Sequence, residues 1–297
     1  MGVGRAKLLL FGEHAAVYGY PAVGRSLPWS LTVTSSPAPS WELPGLDQQK
    51  SMVGALVERL EYLALEAGGP PLEPGRLKIC ADVPVGSGFG SSAALCAALV
   101  NLWFPDRSAA DRDWLAWRGE QLFHGTPSGI DTALALREGW WALDASKSPA
   151  AASSLPDPGL VLVVGAVVRE RTTKFLVADL AQRRERDPAA AKAVESLGEI
   201  SASAVAAMAG RQTEALFPLV VQAREALCAL GLETTALRVA IDEGLSCPGG
   251  LAGKLSGAGG GGAFFLAFET RETAQAALPR IRSRLPEATW TVEPCLV

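Results

Sequence analysis

The sequence predicts a mixed helix-and-sheet fold in two domains, and three observations support this prediction. Apolar runs of strand length alternate with segments of helical spacing, which is the layout of a mixed α/β protein. A stretch rich in Ser, Pro and Ala, residues 146–158, interrupts this layout, so we expect domains at 1–150 and 151–297. A chain of 297 residues is long enough for two such domains or for one large unit.

The first half of the chain shows both periodicities. The apolar run from Lys7 to Phe11, which Gly12 ends, predicts a buried strand. The Pro-rich segment 36–44 predicts a surface loop. The other predicted strands are 29–34, 77–83 and 140–143, and the predicted helices are 52–67, 93–103 and 107–123.

The second half opens with a strong strand signal, the apolar run from Leu160 to Val168. Helical segments follow it, and a glycine run at 257–262 then leads into another strand. The predicted helices are 173–184, 189–208, 214–230, 235–243 and 272–285, and the further strands are 263–269 and 290–293.

The composition disfavours several classes of protein. Charged residues make up 20% of the chain and hydrophobic ones 48%, which is typical of a globular protein. The net charge of −4 and the lack of a basic run argue against nucleic-acid binding. No apolar stretch has the length of a signal peptide or a membrane span, so we expect no membrane association. Five scattered cysteines and two histidines argue against a zinc site and are typical of a reduced, cytoplasmic protein.

Residues 119–131 place two carboxylates, Glu120 and Asp131, on either side of a Gly-Thr-Pro-Ser-Gly turn. Glu120 falls in the last turn of a predicted helix and Asp131 beyond a tight bend, where backbone geometry would hold it as a catalytic base requires. The same composition is also typical of an ordinary helix-to-loop junction. The segment is therefore a candidate catalytic element that needs support from elsewhere in the sequence.

Two glycine-rich segments supply that support. In residues 85–92 three glycines lie between a strand and a helix that Ser91 and Ser92 begin. The glycines let the backbone approach a ligand, and the helix start offers amides and a positive dipole end to an anion such as a triphosphate. A hydroxyl at this position caps the helix or coordinates Mg²⁺. Residues 254–262 run into a strand instead of opening a helix, so they indicate a close ligand, close backbone packing or a flexible loop, and not a dinucleotide-binding turn.

Together these segments resemble the GHMP small-molecule kinases. The three family motifs resemble residues 7–19, 84–93 and 254–262, in the order that the family has them. Within the family, the Gly-Glu-His of residues 12–14 and the segment 124–131 are most similar to the mevalonate kinases. The resemblance implies an α+β, two-domain GHMP kinase fold, with a ribosomal-protein-S5-like α/β domain first and a ferredoxin-like α+β domain second.

The resemblance also implies a role for each candidate residue. Asp131 would accept the proton of the substrate hydroxyl, and Lys7 would keep Asp131 ionised and stabilise the attacking oxygen. Ser92 and Glu120 would hold Mg²⁺ on the phosphates of ATP. The residues that would bind the ATP phosphates are Val85, Gly86, Ser87, Gly88, Phe89, Gly90, Ser91 and Ser92. The residues that would form the acceptor side are Glu13, His14, Thr173, Gly257, Ala258 and Gly259, with Thr172 as the rival of Thr173.

The acceptor that the resemblance favours is mevalonate, phosphorylated on its 5-hydroxyl, and a homodimer is compatible with it. The alternatives are phosphomevalonate, homoserine or a sugar. Phosphomevalonate would need extra positive charge, for which the candidates are Arg5, Arg169, Arg171 and Lys174. A non-catalytic ligand-sensing protein is disfavoured because the expected base, lysine and metal ligands are all present.

Two departures from the family pattern bear on the site. The usual Ala-Pro-Gly before the first lysine is replaced by Gly4-Arg5-Ala6, which predicts a different backbone on the nucleotide side. Thr132 stands where Asn is common, which predicts a change in the acceptor pocket.

Overall fold

A computed structural model of the chain describes residues 1–43 and 50–297, the side chains of residues 50 and 51 excepted. Within these residues the chain forms nine β-strands and nine α-helices. The strands are β1 (Gly2–Phe11), β2 (Pro21–Pro37), β3 (Gly75–Ala81), β4 (Trp140–Asp144), β5 (Ala151–Leu155), β6 (Val161–Val167), β7 (Gly250–Leu255), β8 (Gly262–Phe268) and β9 (Trp290–Leu296). The helices are α1 (Lys50–Glu66), α2 (Ser91–Trp103), α3 (Ala109–His124), α4 (Ile130–Ala135), α5 (Thr173–Arg186), α6 (Pro188–Ala209), α7 (Leu216–Ala229), α8 (Thr235–Ser246) and α9 (Arg271–Ser283).

The strands form two antiparallel sheets. In the first sheet the order is β1-β2-β4-β5, and β3 pairs with the far end of β2. β2 reaches both neighbours on that side because it is 17 residues long. In the second sheet the order is β7-β8-β6-β9. The predicted mixed helix-and-sheet fold is confirmed.

Three elements were not expected from the sequence: β5, α4 and β7. β5 pairs with β4, although four of its five residues are Ala or Ser and all five are half-exposed or exposed, so hydrophobic alternation does not mark it. β7 contains two glycines, which weaken a strand pattern. A Cβ on one of them, Gly253, would lie 2.6 Å from the Leu266 side chain on β8, so close packing between the strands excludes larger residues there.

The predicted division at 150/151 stays a prediction, and strand pairing bears on it. β5 hydrogen-bonds to the first sheet and β6 to the second, so the chain passes from one sheet to the other within residues 156–160. The predicted loop 36–44 begins at the end of β2, and its last residue, Pro44, lies outside the described residues.

Helix α2 brings the first glycine-rich segment to the sheet. Eight consecutive residues of α2, from Ala93 to Val100, are buried, and the helix packs against β1. The backbone N–H of Lys7 on β1 donates to the carbonyl of Phe89 just before α2 (2.9 Å). The start of α2 is thereby fixed beside the middle of β1.

The two sheets are joined by polar contacts as well as by a shared core. Ser256, directly after β7, accepts through Oγ from the N–H of Leu9 (3.1 Å) and donates to the carbonyl of Leu9 (2.9 Å). Ser201 on α6 donates to the carbonyl of Pro21 (2.6 Å). The second glycine-rich segment therefore lies against β1.

Among the helices that the structure describes, none combines the length and apolar character needed to cross a bilayer.

Candidate active site

Lys7 and Asp131 form an ion pair at the centre of the site. Lys7 Nζ lies 3.1 Å from Asp131 Oδ1, and the lysine side chain is 6% exposed whereas the aspartate side chain is 38% exposed. The accessible face of Asp131 leaves room for a substrate hydroxyl, as a general base requires.

Asp131 lies in the first turn of α4, which begins directly after the turn-forming segment 125–129. Gly129 precedes the helix with a φ of +83°, a left-handed conformation that favours glycine. Thr132 is buried, and its hydroxyl donates to the carbonyl of Gly129 (3.1 Å). Thr132, which stands where Asn is common in the family, therefore stabilises the start of α4 through this hydrogen bond.

Neighbouring side chains hold α4 and the turn before it. Trp117 on α3 donates through Nε1 to the carbonyl of Pro127 (2.8 Å). Arg137, just after α4, forms a two-armed ion pair with Asp113 on α3 and donates to the carbonyl of Ala133 (2.9 Å). Asp131 is thus placed by a rigid helix start, which limits the freedom of the carboxylate before substrate binds.

Glu120, His124 and Ser92 form a polar cluster next to this pair. His124 Nε2 lies 4.0 Å from Glu120 Oε1 and 3.2 Å from Ser92 Oγ. Glu120 is buried, and its Oε2 has no hydrogen-bond partner among the described residues. Burial raises the pKa of Glu120 to about 8, the charge of Asp131 adds to the rise, and Lys7 opposes it. The predicted metal ligands Ser92 and Glu120 are therefore close together, with His124 between them.

The glycine-rich segment before α2 leaves the helix start open to a ligand. Gly90 is the N-cap residue, and no side chain among the described residues caps the first turn of α2. Ser87 is buried, and its hydroxyl donates to the carbonyl of Pro84 (2.7 Å). An uncapped start of a 13-residue helix presents backbone N–H groups and a positive dipole end, which suits a phosphate.

Glu13 and His14, expected on the acceptor side, both contact the second glycine-rich segment. Glu13 is buried and forms an ion pair with Lys254, whose Nζ also donates to the carbonyl of Leu255 (3.0 Å). His14 donates through Nε2 to the carbonyl of Ala258 (3.0 Å). Burial lowers the pKa of His14, so the ring is neutral near pH 7. The acceptor role of these residues stays a prediction.

The structure separates the two threonines between which the sequence left a choice. Thr172 caps α5, since its Oγ1 accepts from the N–H of Phe175 (3.2 Å). Thr173 Oγ1 instead accepts from Arg169 Nη1 (2.7 Å). Residues 169–174 and His124 line a cavity of about 360 Å³. Both threonines line this cavity, so Thr173 as the acceptor-side residue, with Thr172 as its rival, stays a prediction.

Two residues at or near the site, Lys254 and His124, were not among the predicted site residues, and Arg169 was considered only for an acceptor phosphate. Lys254 opens the glycine-rich segment 254–262, but its strand β7 was not predicted, so the sequence did not indicate that this lysine would be buried. Arg169 follows an apolar strand directly, which places it at a strand end. Nothing in the sequence indicates that His124 would lie between Ser92 and Glu120, because that depends on the packing of α2 against α3.

With the geometry defined, comparison with known proteins identifies the class. The family model described as "GHMP kinases N terminal domain" matches residues 52–139, and the model described as "GHMP kinases C terminal" matches residues 190–287. The two matches cover more than half of the chain, and the protein belongs to the GHMP kinase family. This confirms the predicted family and its two-domain fold. As a kinase of this family, it transfers a phosphoryl group from ATP to an alcohol.

Several relatives within the family are named mevalonate kinase. The chain is 30% identical to a mevalonate kinase of Methanothermobacter thermautotrophicus, with 86% of each chain covered. It is 28% identical to a mevalonate kinase of Pyrococcus furiosus, with 96% of this chain and 93% of that one covered. The crystal structure of L. major mevalonate kinase in complex with R-mevalonate has the same fold, with a TM-score of 0.83 at 22% identity, covering 100% of this chain and 95% of that chain.

Proposed function

We propose that the protein phosphorylates mevalonate on its 5-hydroxyl, using ATP and giving 5-phosphomevalonate and ADP. The observation that carries this proposal is the Lys7–Asp131 ion pair, because it lies beside an uncapped helix start and a second, buried carboxylate. The choice of mevalonate is supported by the names of the relatives, two of which are similar over most of this chain.

In the proposed reaction each group has one task. The C5 oxygen of the acceptor forms a bond to the γ-phosphorus as the bond from that phosphorus to the β,γ-bridging oxygen breaks. The electron pair of the broken bond leaves with ADP, and the hydroxyl proton passes to Asp131. Lys7 stabilises the negative charge that develops on the attacking oxygen. Positioning and charge neutralisation supply most of the rate enhancement in phosphoryl transfer.

The residues present fit a magnesium ion. Glu120 Oε2 is a buried oxygen without a hydrogen-bond partner in the described part of the chain, and a cation would satisfy it. Ser92 adds a hydroxyl, and oxygen ligands of this kind are those that Mg²⁺ prefers. The described residues contain no group of three or more His, Cys, Asp or Glu side chains suited to a metal, so the phosphates of ATP would complete the coordination. Magnesium bound there would neutralise charge on the β- and γ-phosphates.

One observation favours a second acceptor, phosphomevalonate. Of the four basic residues considered for an acceptor phosphate, Arg169, Arg171 and Lys174 line the same cavity. Arg5 instead pairs with Glu138. A phosphate-bearing acceptor would find positive charge in that cavity.

An ADP-release assay decides between these acceptors. The purified protein with Mg²⁺ and ATP would be supplied in turn with mevalonate, phosphomevalonate, homoserine and galactose. We expect the highest kcat/KM with mevalonate, and a preference for another acceptor would overturn the substrate assignment.

We further propose a cytoplasmic location, which the five free cysteines support. The expected homodimer rests on the family resemblance alone, and sedimentation measurements would test it.

A further inference from the structure

Arg169, which lies two residues after β6, reaches from the second sheet into the phosphate-binding segment of the first. A Cβ built on Gly88 would lie 2.8 Å from Arg169 Nη2, and one built on Gly262 would lie 2.7 Å from Arg169 Nε. The guanidinium therefore occupies the space between the two glycine-rich segments. A glycine at each position is what allows this approach.

At least one N–H donor of the Arg169 guanidinium is not used in a hydrogen bond within the described residues. Arginine carries five N–H donors, and Nη1 donates to Thr173 Oγ1 (2.7 Å). Nε is buried and has no hydrogen-bond partner in the described residues. Leaving a buried donor of a charged group unpaired is costly, so this arrangement points to a ligand acceptor. Burial lowers the pKa of Arg169, and the charge of Asp131 opposes this effect.

The surroundings of Arg169 identify the ligand as an anion on the donor side of the site. Arg169 and His124 line one cavity, and His124 is hydrogen-bonded to Ser92 at the start of α2. Gly88, which the guanidinium contacts, belongs to the segment expected to bind the ATP phosphates. The charge of Asp131, the proposed base, raises the pKa of Arg169. The group between a phosphate-binding segment and the base of a kinase is the phosphoryl group in transfer.

We propose that Arg169 binds the γ-phosphoryl group of ATP and stabilises its charge during transfer, an inference that rests on the proposed kinase reaction. The planar guanidinium would donate two hydrogen bonds to non-bridging phosphoryl oxygens, a geometry that lysine does not reproduce. Arg169 gains and loses no proton: the proton of the acceptor goes to Asp131 and the electron pair goes to ADP. Because Arg169 comes from the second sheet, it would complete the site only when the two sheets are joined.

Steady-state kinetics of Arg169→Gln and Arg169→Lys test this role. We expect Arg169→Gln to lower kcat by about 10²–10³-fold, the loss seen when one preorganised donor to a transition-state oxyanion is removed. The KM for mevalonate should stay within about threefold, because the ground-state acceptor is not bound by this residue. Arg169→Lys should recover part of kcat, since it keeps the charge and loses the two-armed geometry.

A transition-state analogue separates this role from a structural one. ADP with aluminium fluoride and mevalonate mimics the phosphoryl group in transfer, whereas ADP alone does not. Arg169→Gln should weaken binding of the analogue complex by about 100-fold and leave binding of ADP unchanged, as expected for a contact made in the transition state. Arg186→Gln is the matched control, because it removes the same charge from an exposed position at the end of α5.

Three outcomes would overturn the proposal. A raised KM for mevalonate with unchanged kcat would assign Arg169 to the acceptor carboxylate. A Thr173→Val variant with the same loss of kcat would show that Arg169 acts only by holding Thr173. A lower melting temperature with unchanged kcat would leave a purely structural role. If the wild-type protein turned over a different acceptor, the proposed substrate would be wrong, and the Arg169 variants would be tested with that acceptor instead. If the protein turned over no acceptor, both the proposed kinase reaction and the proposed role of Arg169 would be overturned.

Discussion

The buried ion pair between Lys254 and Glu13 gives a direct test of how the two sheets are held together. Both side chains are 0% exposed, and they come from opposite sides of the interface between the sheets. Burial raises the pKa of Glu13 and lowers that of Lys254, and in each case the charge of the partner opposes the shift. Each charge therefore depends on the other to remain in the interior.

Replacing Lys254 with Met removes the ammonium and keeps an unbranched apolar stem of similar length. Glu13 then has one oxygen that has lost its partner and a second, Oε2, that has no hydrogen-bond partner among the described residues. Breaking a buried ion pair by removing one partner costs about 3–5 kcal/mol. At about 2–4 °C per kcal/mol for a chain of this size class, we expect the melting temperature to fall by roughly 6–20 °C.

Urea unfolding followed by circular dichroism measures this cost, and a double variant isolates the pair. Glu13→Gln with Lys254→Met removes both charges, so we expect it to be less destabilised than the sum of the two single variants. Lys192→Met, at an exposed position of α6, is the control and should change the free energy of unfolding by no more than about 0.5 kcal/mol. A cost below about 1 kcal/mol for Lys254→Met, or strict additivity in the double variant, would refute the ion pair as a structural link.

Three further predictions concern the base, the buried carboxyl and the second glycine-rich segment. Asp131→Asn should lower kcat by about 10²–10⁴-fold with little effect on stability, and a loss under about tenfold in the ADP-release assay would contradict its role as the base. Because the pKa of Glu120 is raised to about 8 from 4.5, the metal-free folded protein keeps a proton that the unfolded chain releases, so stability should fall as pH rises from 5 to 8. This fall is on the order of 4 kcal/mol, and equal pH slopes for the wild type and Glu120→Gln in urea unfolding would contradict it. Gly261→Ala should cost about 1–3 kcal/mol more than Gly257→Ala. Both glycines have positive φ, but only the Cβ at 261 would meet a carbonyl, that of Val168 at 2.3 Å, and equal melting temperatures would exclude this clash.

The sequence was sufficient to predict most of the fold because hydrophobic periodicity marks elements that bury one face or all of their surface. β6 and α2 are of this kind, and both are present as predicted within a few residues. β5 has no such face, and its position depends on the backbone of β4, which no local pattern encodes. α4 is only six residues long, too short for a helical period to be visible.

The site was predictable as a list of residues but not as a set of contacts. The ion pair of Lys7 with Asp131 and the proximity of Ser92 to Glu120 agree with roles that the family resemblance implied. The assignments of individual roles nevertheless stay predictions. The place of Arg169 could not be foreseen, because its contact with Gly88 joins residues 81 positions apart through the packing of one sheet against the other.

The two lysines of the site form ion pairs that differ in exposure. Lys7 and Lys254 both lie on buried strands and both pair with a carboxylate. Their partners differ in exposure, since the side chain of Asp131 is 38% exposed and that of Glu13 is 0% exposed. A solvent-exposed carboxylate can accept a proton from a bound alcohol. A fully buried carboxylate paired with an ammonium has no surface that an alcohol can contact. Loss of Lys7 should therefore reduce turnover more than stability, whereas loss of Lys254 should reduce stability more than turnover. The exposure of the carboxylate partner, and not the lysine itself, decides whether the ion pair serves catalysis or stability.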